Sequence, residues 1–444
     1  MPQLPQDFLK SLKGLPAFDE EAFVHAHEHE SRITSIRINP FKKAELDFAT
    51  GEAVRWCEGG FYLPERPSFT HDPLFHAGAY YVQEAGSMFL DHALRSSMDF
   101  SQALNVLDLC AAPGGKSTLI NSLLKDESLL VSNEIHRKRV DILAQNLGRW
   151  GTENTVVTSS DPENFSELDS FFDAIVVDAP CSGSGLFRKQ PEAIDEWSCD
   201  LVKMCAQRQR KILESVMPAL NGGGHLIYCT CSYSVEEDEQ IVKWLLDNFD
   251  LEYLPLQVHK EWNITETEHG YRFYPHLTKA EGFFLAIMRK KAERRSVKKH
   301  SKKQDFLLKK QETEAFSDYL DAKSQDFIKI NDFYHLAAPA VRDFISLYSK
   351  QFYLKKAGVS LGQMKGQDLV PNQDLAWFKA VDDKMKANLG REDALKYLKK
   401  ESFTPGNGGK GFRLISYKNC GLGWAKMLPG RMNNYLPSEL RILN

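Results

Sequence analysis

The residues of this chain best suited to chemistry are two cysteines, Cys181 and Cys231, and three carboxylates, Glu134, Asp161 and Asp178, each at the end of a short apolar run. Leu104 to Leu109 runs into the small residues Cys110-Ala-Ala-Pro-Gly-Gly before Lys116. Leu129 to Ile135 carries Asn133-Glu134 near its end, and Thr155 to Ser159 meets Ser160-Asp161. Phe172 to Val177 meets Asp178-Ala-Pro-Cys181, and His225 to Cys229 meets Thr230-Cys231-Ser232. Such runs read as buried strands. Polar residues at the carboxyl ends of successive parallel strands converge on the edge of a sheet where ligands bind. In the first unit the glycines permit a sharp turn, and the sequence becomes helix-compatible from Lys116. A strand, a glycine loop and a helix together bring a ligand against backbone N–H groups.

The loop has neither the G-x-G-x-x-G nor the G-x-x-x-x-G-K-[ST] pattern, which argues against hydride transfer and nucleoside triphosphate hydrolysis. Glu134 stands where a carboxylate accepts hydrogen bonds from ribose hydroxyls in doubly wound nucleotide sites, and Asp161 where a polar group meets an adenine edge. The expected ligand is a nucleotide-like cofactor, and a side chain added at Gly114 is expected to intrude on its space. Two sulfurs, from Cys181 and Cys231, would share the pocket. A structural zinc would need two more ligands, and neither cysteine has a C-x-x-C neighbour or a nearby histidine pair. Nucleophilic chemistry is what remains: a thiolate adds to an electron-poor ring carbon, and a second cysteine or a base helps break the adduct.

Helical patterns at Lys116 to Leu124, His136 to Trp150, Asp200 to Leu220 and Val235 to Phe249 alternate with the strands. This order predicts an α/β fold with a parallel, doubly wound, Rossmann-like sheet over residues 76–290. Gly282 to Met288 is a candidate closing strand. Residues 1–75, with a β-like piece at Ile33 to Asn39, read as a small leading α+β domain. His25 and His29 would share a helix face there, but with Glu28 and Glu30 interspersed a solvated face is the expected reading rather than a metal site. A basic linker is expected over residues 291–325 and a further domain over 326–444. In that domain Phe412 to Tyr417 and Leu422 to Met427 flank Lys418 to Gly421 as a hairpin, with Phe412, Tyr417 and Trp424 expected in its core.

The chain has 444 residues, is 42% apolar and carries a net charge of -4, but the charge is unevenly placed. Residues 1–290 hold 27 Lys and Arg against 43 Asp and Glu, whereas residues 291–444 hold 29 against 17. An anion-binding module behind an acidic body is expected, one whose removal would weaken nucleic-acid binding and leave cofactor binding intact. Eight cysteines in a chain this size do not form the framework of a small secreted domain, so reduced thiols are expected. The start MPQLPQDFLK lacks a signal-peptide profile, and no apolar run reaches the ~20 residues of a membrane span. The expectation is a cytoplasmic protein with no membrane partner.

CAAPGGK (Cys110 to Lys116), VDAPCSGSG (Val177 to Gly185), FRKQPE (Phe187 to Glu192) and YCTCSYSVEEDE (Tyr228 to Glu239) together resemble the Nol-Nop-Sun family of RNA 5-methylcytosine methyltransferases. QEAGSMF (Gln83 to Phe89) is similar to the segment that usually precedes that family's sheet. FYLKKAGVSLG (Phe352 to Gly362) and LGWAKMLPGRMNNYLP (Leu422 to Pro437) are similar to the C-terminal part of its bacterial ribosomal small-subunit methyltransferase F group. The resemblance implies S-adenosyl-L-methionine as cofactor, held by Cys110, Ala111, Ala112, Pro113, Gly114, Gly115, Lys116, Glu134, Asp161 and Asp178. It implies Cys231 as nucleophile, Cys181 as the group that assists release, and Asp178 as a third catalytic residue. It further implies an RNA-binding N-terminal domain, a PUA-like RNA-binding C-terminal region, and small-subunit (16S) ribosomal RNA or the subunit itself as partner. Transfer RNA is the alternative substrate, and a monomer is expected.

The chemistry of cytosine agrees with that division. Carbon 5 is a poor nucleophile until a thiolate adds at carbon 6, and Asp178 is suited to stabilise the proton that the ring nitrogen then takes. Lys189 is a candidate contact to the substrate's phosphate or base. Cys229 departs from the family, which more often has Ser or Ala there, and reads as a small buried filler. A DNA cytosine methyltransferase would need only the cysteine of its Pro-Cys loop, so Cys231 speaks against it. A non-catalytic ribosome assembly factor is disfavoured by the intact loop, acids and cysteines.

Overall fold

The computed structural model describes residues 3–293, 308, 313, 316, 318–320, 326–366, 368–403 and 410–443. Most of the expected basic linker therefore lies outside the described residues. The chain begins with α1 (Gln6–Leu12) and α2 (Glu20–His29), followed by β1 (Ser35–Ile38), β2 (Gly60–Tyr62) and β3 (Tyr80–Val82). These three strands form an antiparallel sheet with β1 in the middle. His25 and His29 share a face of α2, their ring centroids 5.1 Å apart. His27 is buried, with Nδ1 2.8 Å from the Phe23 carbonyl oxygen.

The body follows with α3 (Pro73–His76), α4 (Phe89–Ser97), β4 (Asn105–Asp108), α5 (Gly115–Leu123), β5 (Leu129–Asn133), α6 (Arg137–Trp150), β6 (Thr155–Thr158) and β7 (Phe172–Asp178). It continues through α7 (Glu192–Glu196), α8 (Cys199–Val216), β8 (Leu220–Thr230), α9 (Glu239–Asn248), β9 (Leu251–Tyr253), β10 (Thr265–Thr267), β11 (Gly270–Phe273) and β12 (Phe283–Lys290). The five expected strands are present and parallel, in the order β8-β7-β4-β5-β6. They are Val-, Ile- and Leu-rich and buried on both faces, as a sheet covered on each side must be. One face packs α4, α5 and α6 through Phe89, Leu119, Ile120, Val140, Leu143 and Leu147. The other packs α8 and α9 through Leu213, Ile241, Val242 and Leu245. Each such side chain contributes about 1.5–3 kcal/mol through burial. In α6 the apolar residues Val140, Leu143, Leu147 and Trp150 form one stripe, and Gly151, at φ 87°, ends the helix in the left-handed conformation.

The sheet is mixed rather than wholly parallel. The expected closing strand, β12, runs antiparallel between β8 and β11, and β10 and β9 extend that side. The other edge is closed from far along the chain. After β13 (Asp326–Ile330) and β14 (Phe333–Ala337), strand β15 (Leu354–Ala357) pairs antiparallel with β6. The helix Pro339–Tyr348 lays Val341, Phe344 and Ile345 on the same core as α8 and α9. β16 (Val359–Lys365) and β17 (Asp368–Pro371) join β13 and β14 in a second sheet. β18 (Lys386–Leu389), β19 (Gly411–Tyr417), β20 (Cys420–Leu428) and β21 (Arg431–Asn434) form a third. The expected hairpin is β19 and β20, its turn reduced to Lys418-Asn419, both at positive φ. Phe412, Tyr417 and Trp424 are buried.

Candidate active site

The carboxyl ends of β4 to β8 open on a cleft of about 690 Å³. Of the residues singled out in the sequence, Cys110, Ala112, Glu134, Asp161, Asp178, Cys181 and Cys231 line it. Ala111, Pro113, Gly114, Gly115, Lys116 and Lys189 do not. The Ala111 N–H donates to Asn133 O at 2.8 Å, which fastens the loop to the end of β5. Gly114 precedes α5 at φ 110°, and a Cβ there would meet Leu143 Cδ1 at 3.2 Å and Asn146 Cβ at 3.5 Å. A side chain at Gly114 would thus press on α6. The glycine is required by its backbone conformation.

Glu134 is buried, its Oε1 accepting the His136 N–H at 2.9 Å and its Oε2 3.5 Å from Arg139 Nη1. Asp161 is exposed at the lip and caps the following turn by accepting the Glu163 N–H at 3.0 Å. Between them Asn133 holds the strand ends together. Its Oδ1 accepts from Thr158 Oγ1 at 2.8 Å and from Ser160 N at 3.0 Å, and its Nδ2 donates to Leu109 O and Ser160 O. Asp108, at the end of β4, accepts from Ser117 Oγ at 2.6 Å, while its other oxygen is buried with no hydrogen-bond partner. Burial, with Asp178 nearby, pushes its pKa up to about 7 against the Ser117 hydrogen bond.

Lys116, expected in the ligand loop, is turned to Asp178, with Nζ 2.7 Å from Oδ2. Burial, the largest single effect, would depress the lysine, but the Asp178 charge and hydrogen bond together with the neighbouring Cys229 and Asp108 raise its pKa. Cys229 is fully buried in the core, as expected of a filler, with Sγ 3.7 Å from the other Asp178 oxygen. The two cleft cysteines are brought together, Sγ to Sγ, at 3.1 Å. The Cys181 thiol is pushed well up, first by its hydrogen bond to Cys231 and then by burial. Cys181 is thereby held as a thiol beside Cys231. Lys189 lies away from this pair, close enough to Glu281 to act on it electrostatically.

Reading the strand ends alone missed Glu237, a buried carboxylate between the two cysteine loops. Its Oε1 accepts the Ser182 N–H at 2.7 Å, and its Oε2 accepts both Ser182 Oγ and Ser232 Oγ at 2.6 Å. Ser182 and Ser232 are the residues immediately after Cys181 and Cys231. A backbone bond from Gly185 N to Cys231 O, 2.8 Å, joins the loops a second time. The neighbouring Asp238 accepts from Thr230 Oγ1 at 2.6 Å and pairs with the buried Arg272 at 3.2 Å, which fixes the residue before Cys231. The available signal was the acidic run Glu236 to Glu239 directly after the second cysteine motif.

A doubly wound sheet with this glycine loop, acidic series and cysteine pair defines the Rossmann-like methyltransferases. The chain belongs to the family described as 16S rRNA methyltransferase RsmB/F, whose core matches residues 97–289. The N-terminal domain of 16S rRNA methyltransferase RsmF matches residues 4–85, and the methyltransferase RsmF PUA domain matches residues 384–442. The expected architecture, a methyltransferase core with an N-terminal domain and a C-terminal PUA domain, is borne out, and the protein is an RNA methyltransferase. It is 32% identical to ribosomal RNA small subunit methyltransferase F of Shewanella woodyi over 99% of this chain and 97% of that one. It is 30% identical to the protein of that name from Vibrio vulnificus, over 98% and 97%. Among solved structures it resembles a methyltransferase homolog protein from Pyrococcus horikoshii, with TM-score 0.52, 29% identity, and 65% of this chain and all of that one covered. The fold also matches NSun6 from Pyrococcus horikoshii, solved with SFG, with TM-score 0.55, 19% identity, and 66% and 99% covered.

Proposed function

We propose that this protein uses S-adenosyl-L-methionine to methylate carbon 5 of a cytosine in small-subunit (16S) ribosomal RNA through a covalent adduct to Cys231. The observation that carries the proposal is the 3.1 Å approach of Cys181 and Cys231 in the cleft. One thiol would suffice for addition, and a second beside it is suited to ending the adduct.

The cleft fits the cofactor by its donor set. Glu134 is buried at the wall, the strand-end position suited to a ribose acceptor, and Asp161 stands on the next strand end. The backbone of Cys110 and Ala112 at the wall offers further polar contacts. When bound, S-adenosyl-L-methionine supplies an electrophilic methyl group. Cys231 adds to cytosine carbon 6 as the ring nitrogen takes a proton from water, which a hydrogen bond to Asp178 stabilises and which returns to water when the adduct breaks. Lys116 holds Asp178 in place. Carbon 5, now enamine-like, takes the methyl group, and its own proton is lost to water in the open cleft. The carbon–sulfur bond then breaks, returning the electron pair to Cys231, and the Cys181 thiol hydrogen-bonds the departing thiolate.

Residues 1–75 and 326–444 flank the core as RNA-binding regions in this reading, with 291–325 as the basic connection and Lys189 as a substrate contact. The likeness of nearly the whole chain to proteins named for small-subunit ribosomal RNA supports that substrate. Bisulfite mapping of cellular RNA with and without the gene tests it. One protected cytosine in 16S RNA that becomes convertible on deletion is the expected result. An unchanged 16S pattern refutes the reading.

A further inference from the structure

A second recess, of about 340 Å³, lies between β3, the segment Arg66 to Phe75 and the end of α6. It shares no lining residue with the cleft. It nevertheless abuts the glycine loop: Asn146 Nδ2 donates to Pro113 O at 2.8 Å, and a Cβ at Gly115 would meet the Tyr81 ring at 3.3 Å.

Its walls carry two guanidiniums, Arg66 and Arg149, the rings of Phe69, Phe75 and Tyr81, and no carboxylate. Arg66 stands 5.1 Å from the Phe69 ring centroid and Arg149 5.7 Å from that of Phe75. Among the described residues neither guanidinium has an acidic partner, and Arg149 Nε is buried with no hydrogen-bond partner. Burial brings Arg149 down to about 10, so it is cationic at neutral pH. Elsewhere in this acidic body Arg95, Arg139, Arg188 and Arg272 each sit on a carboxylate. Two unneutralised planar cations beside aromatic faces suit a flat base carrying a phosphate, because guanidinium planes and rings stack on bases while the fork binds phosphate oxygens.

We propose that this recess is a subsite for one unpaired nucleotide of the substrate RNA, distinct from the base that is methylated. The base stacks among the rings and guanidiniums, and the phosphate meets Arg66 at the rim. The proposal rests on the protein's being an RNA methyltransferase and is independent of which carbon or cytosine it modifies.

The test is binding of a fluorescent single-stranded RNA of about 20 nucleotides to the full-length protein and to Arg66→Gln, Arg66→Lys and Arg149→Gln variants over a salt series. Arg66→Gln and Arg149→Gln should each weaken binding roughly tenfold, and in Arg66→Gln the log–log salt slope should fall by about 0.7 for the lost phosphate contact. Arg66→Lys should keep the slope and lose part of the affinity. S-adenosyl-L-methionine affinity, measured by calorimetry, should match the wild type and certifies folding. Exposed Arg66 decides the matter if Arg149→Gln does not fold. Wild-type RNA affinity and salt slope in a folded Arg66→Gln protein would overturn the subsite. Absence of methylated cytosine in 16S RNA would instead count against the proposed function and leave this readout intact.

Discussion

The Sγ atoms of Cys181 and Cys231 lie 3.1 Å apart, with Cys181 held as a thiol by its hydrogen bond and its burial. If Cys231 is the nucleophile, Cys231→Ala should bind RNA yet neither methylate it nor form an adduct. Cys181→Ala should still add to the base but release it slowly, leaving an RNA-linked band on a denaturing gel. A trapped band from Cys231→Ala and none from Cys181→Ala would reverse the roles.

Glu237 ties the two cysteine loops together through Ser182 and Ser232, so it acts as a positioning residue. Glu237→Gln keeps the shape but turns one acceptor oxygen into a donor facing hydroxyls or an N–H, at a cost of about 1–3 kcal/mol. The turnover rate should fall by roughly ten- to a hundredfold while the cofactor's KM stays near wild type. Burial raises the Glu237 pKa, so its loss of charge contributes to the acid limb of the wild-type rate, and that limb should flatten in the variant. A purely structural residue would lower melting temperature and leave kcat of the folded fraction and the pH profile unchanged.

The strands and their chemical ends were legible because β4 to β7 each carry a buried apolar run, and Glu134, Asp161 and Asp178, at or just past the ends of β5, β6 and β7, line the cleft. Glu237 was not, because its role depends on two serines about 50 residues apart in sequence meeting one carboxylate. The sequence marked Gly114 as a turn residue but did not reveal that α6 stands behind it. The antiparallel edges were missed for a related reason. β10, β11 and β15 are three or four residues long, and only pairing identifies them as strands.

Strand β15 also revises what the tail does. Phe352, just before it, packs on Phe165 at 4.7 Å and Phe344 at 5.8 Å, and Asn164 Nδ2 donates to Gln351 O at 3.0 Å. Phe165 lies in the turn that Asp161 caps, so the tail supports one wall of the cofactor cleft. Removal of residues 291–444 should therefore impair cofactor binding as well as RNA binding, contrary to the expectation of a detachable module. Phe352→Ala, at about 3–5 kcal/mol, should lower the melting temperature and weaken S-adenosyl-L-methionine. Wild-type cofactor affinity in the truncated protein would contradict this.

Asp108 supplies a pH signature at the buried end of β4. Its pKa is pushed from 3.8 to about 7, first by burial, so the folded protein keeps a proton that the unfolded chain releases above about pH 4. Stability contributed by that proton is complete at low pH and is lost as pH rises from about 4 through about 7. At about 1.4 kcal/mol per unit the upper bound is roughly 4 kcal/mol. In Asp108→Asn the amide oxygen can still accept from Ser117 Oγ, and no proton is exchanged. The wild type should therefore lose more melting temperature than Asp108→Asn between pH 5 and pH 8, as measured by scanning calorimetry. Other buried carboxyls, Glu237 and Asp238, contribute to the slope of both proteins, so the difference between the two curves is the readout. Parallel curves would mean that Asp108 is ionised throughout, and its unpartnered oxygen would then have to be neutralised by a group in the cleft.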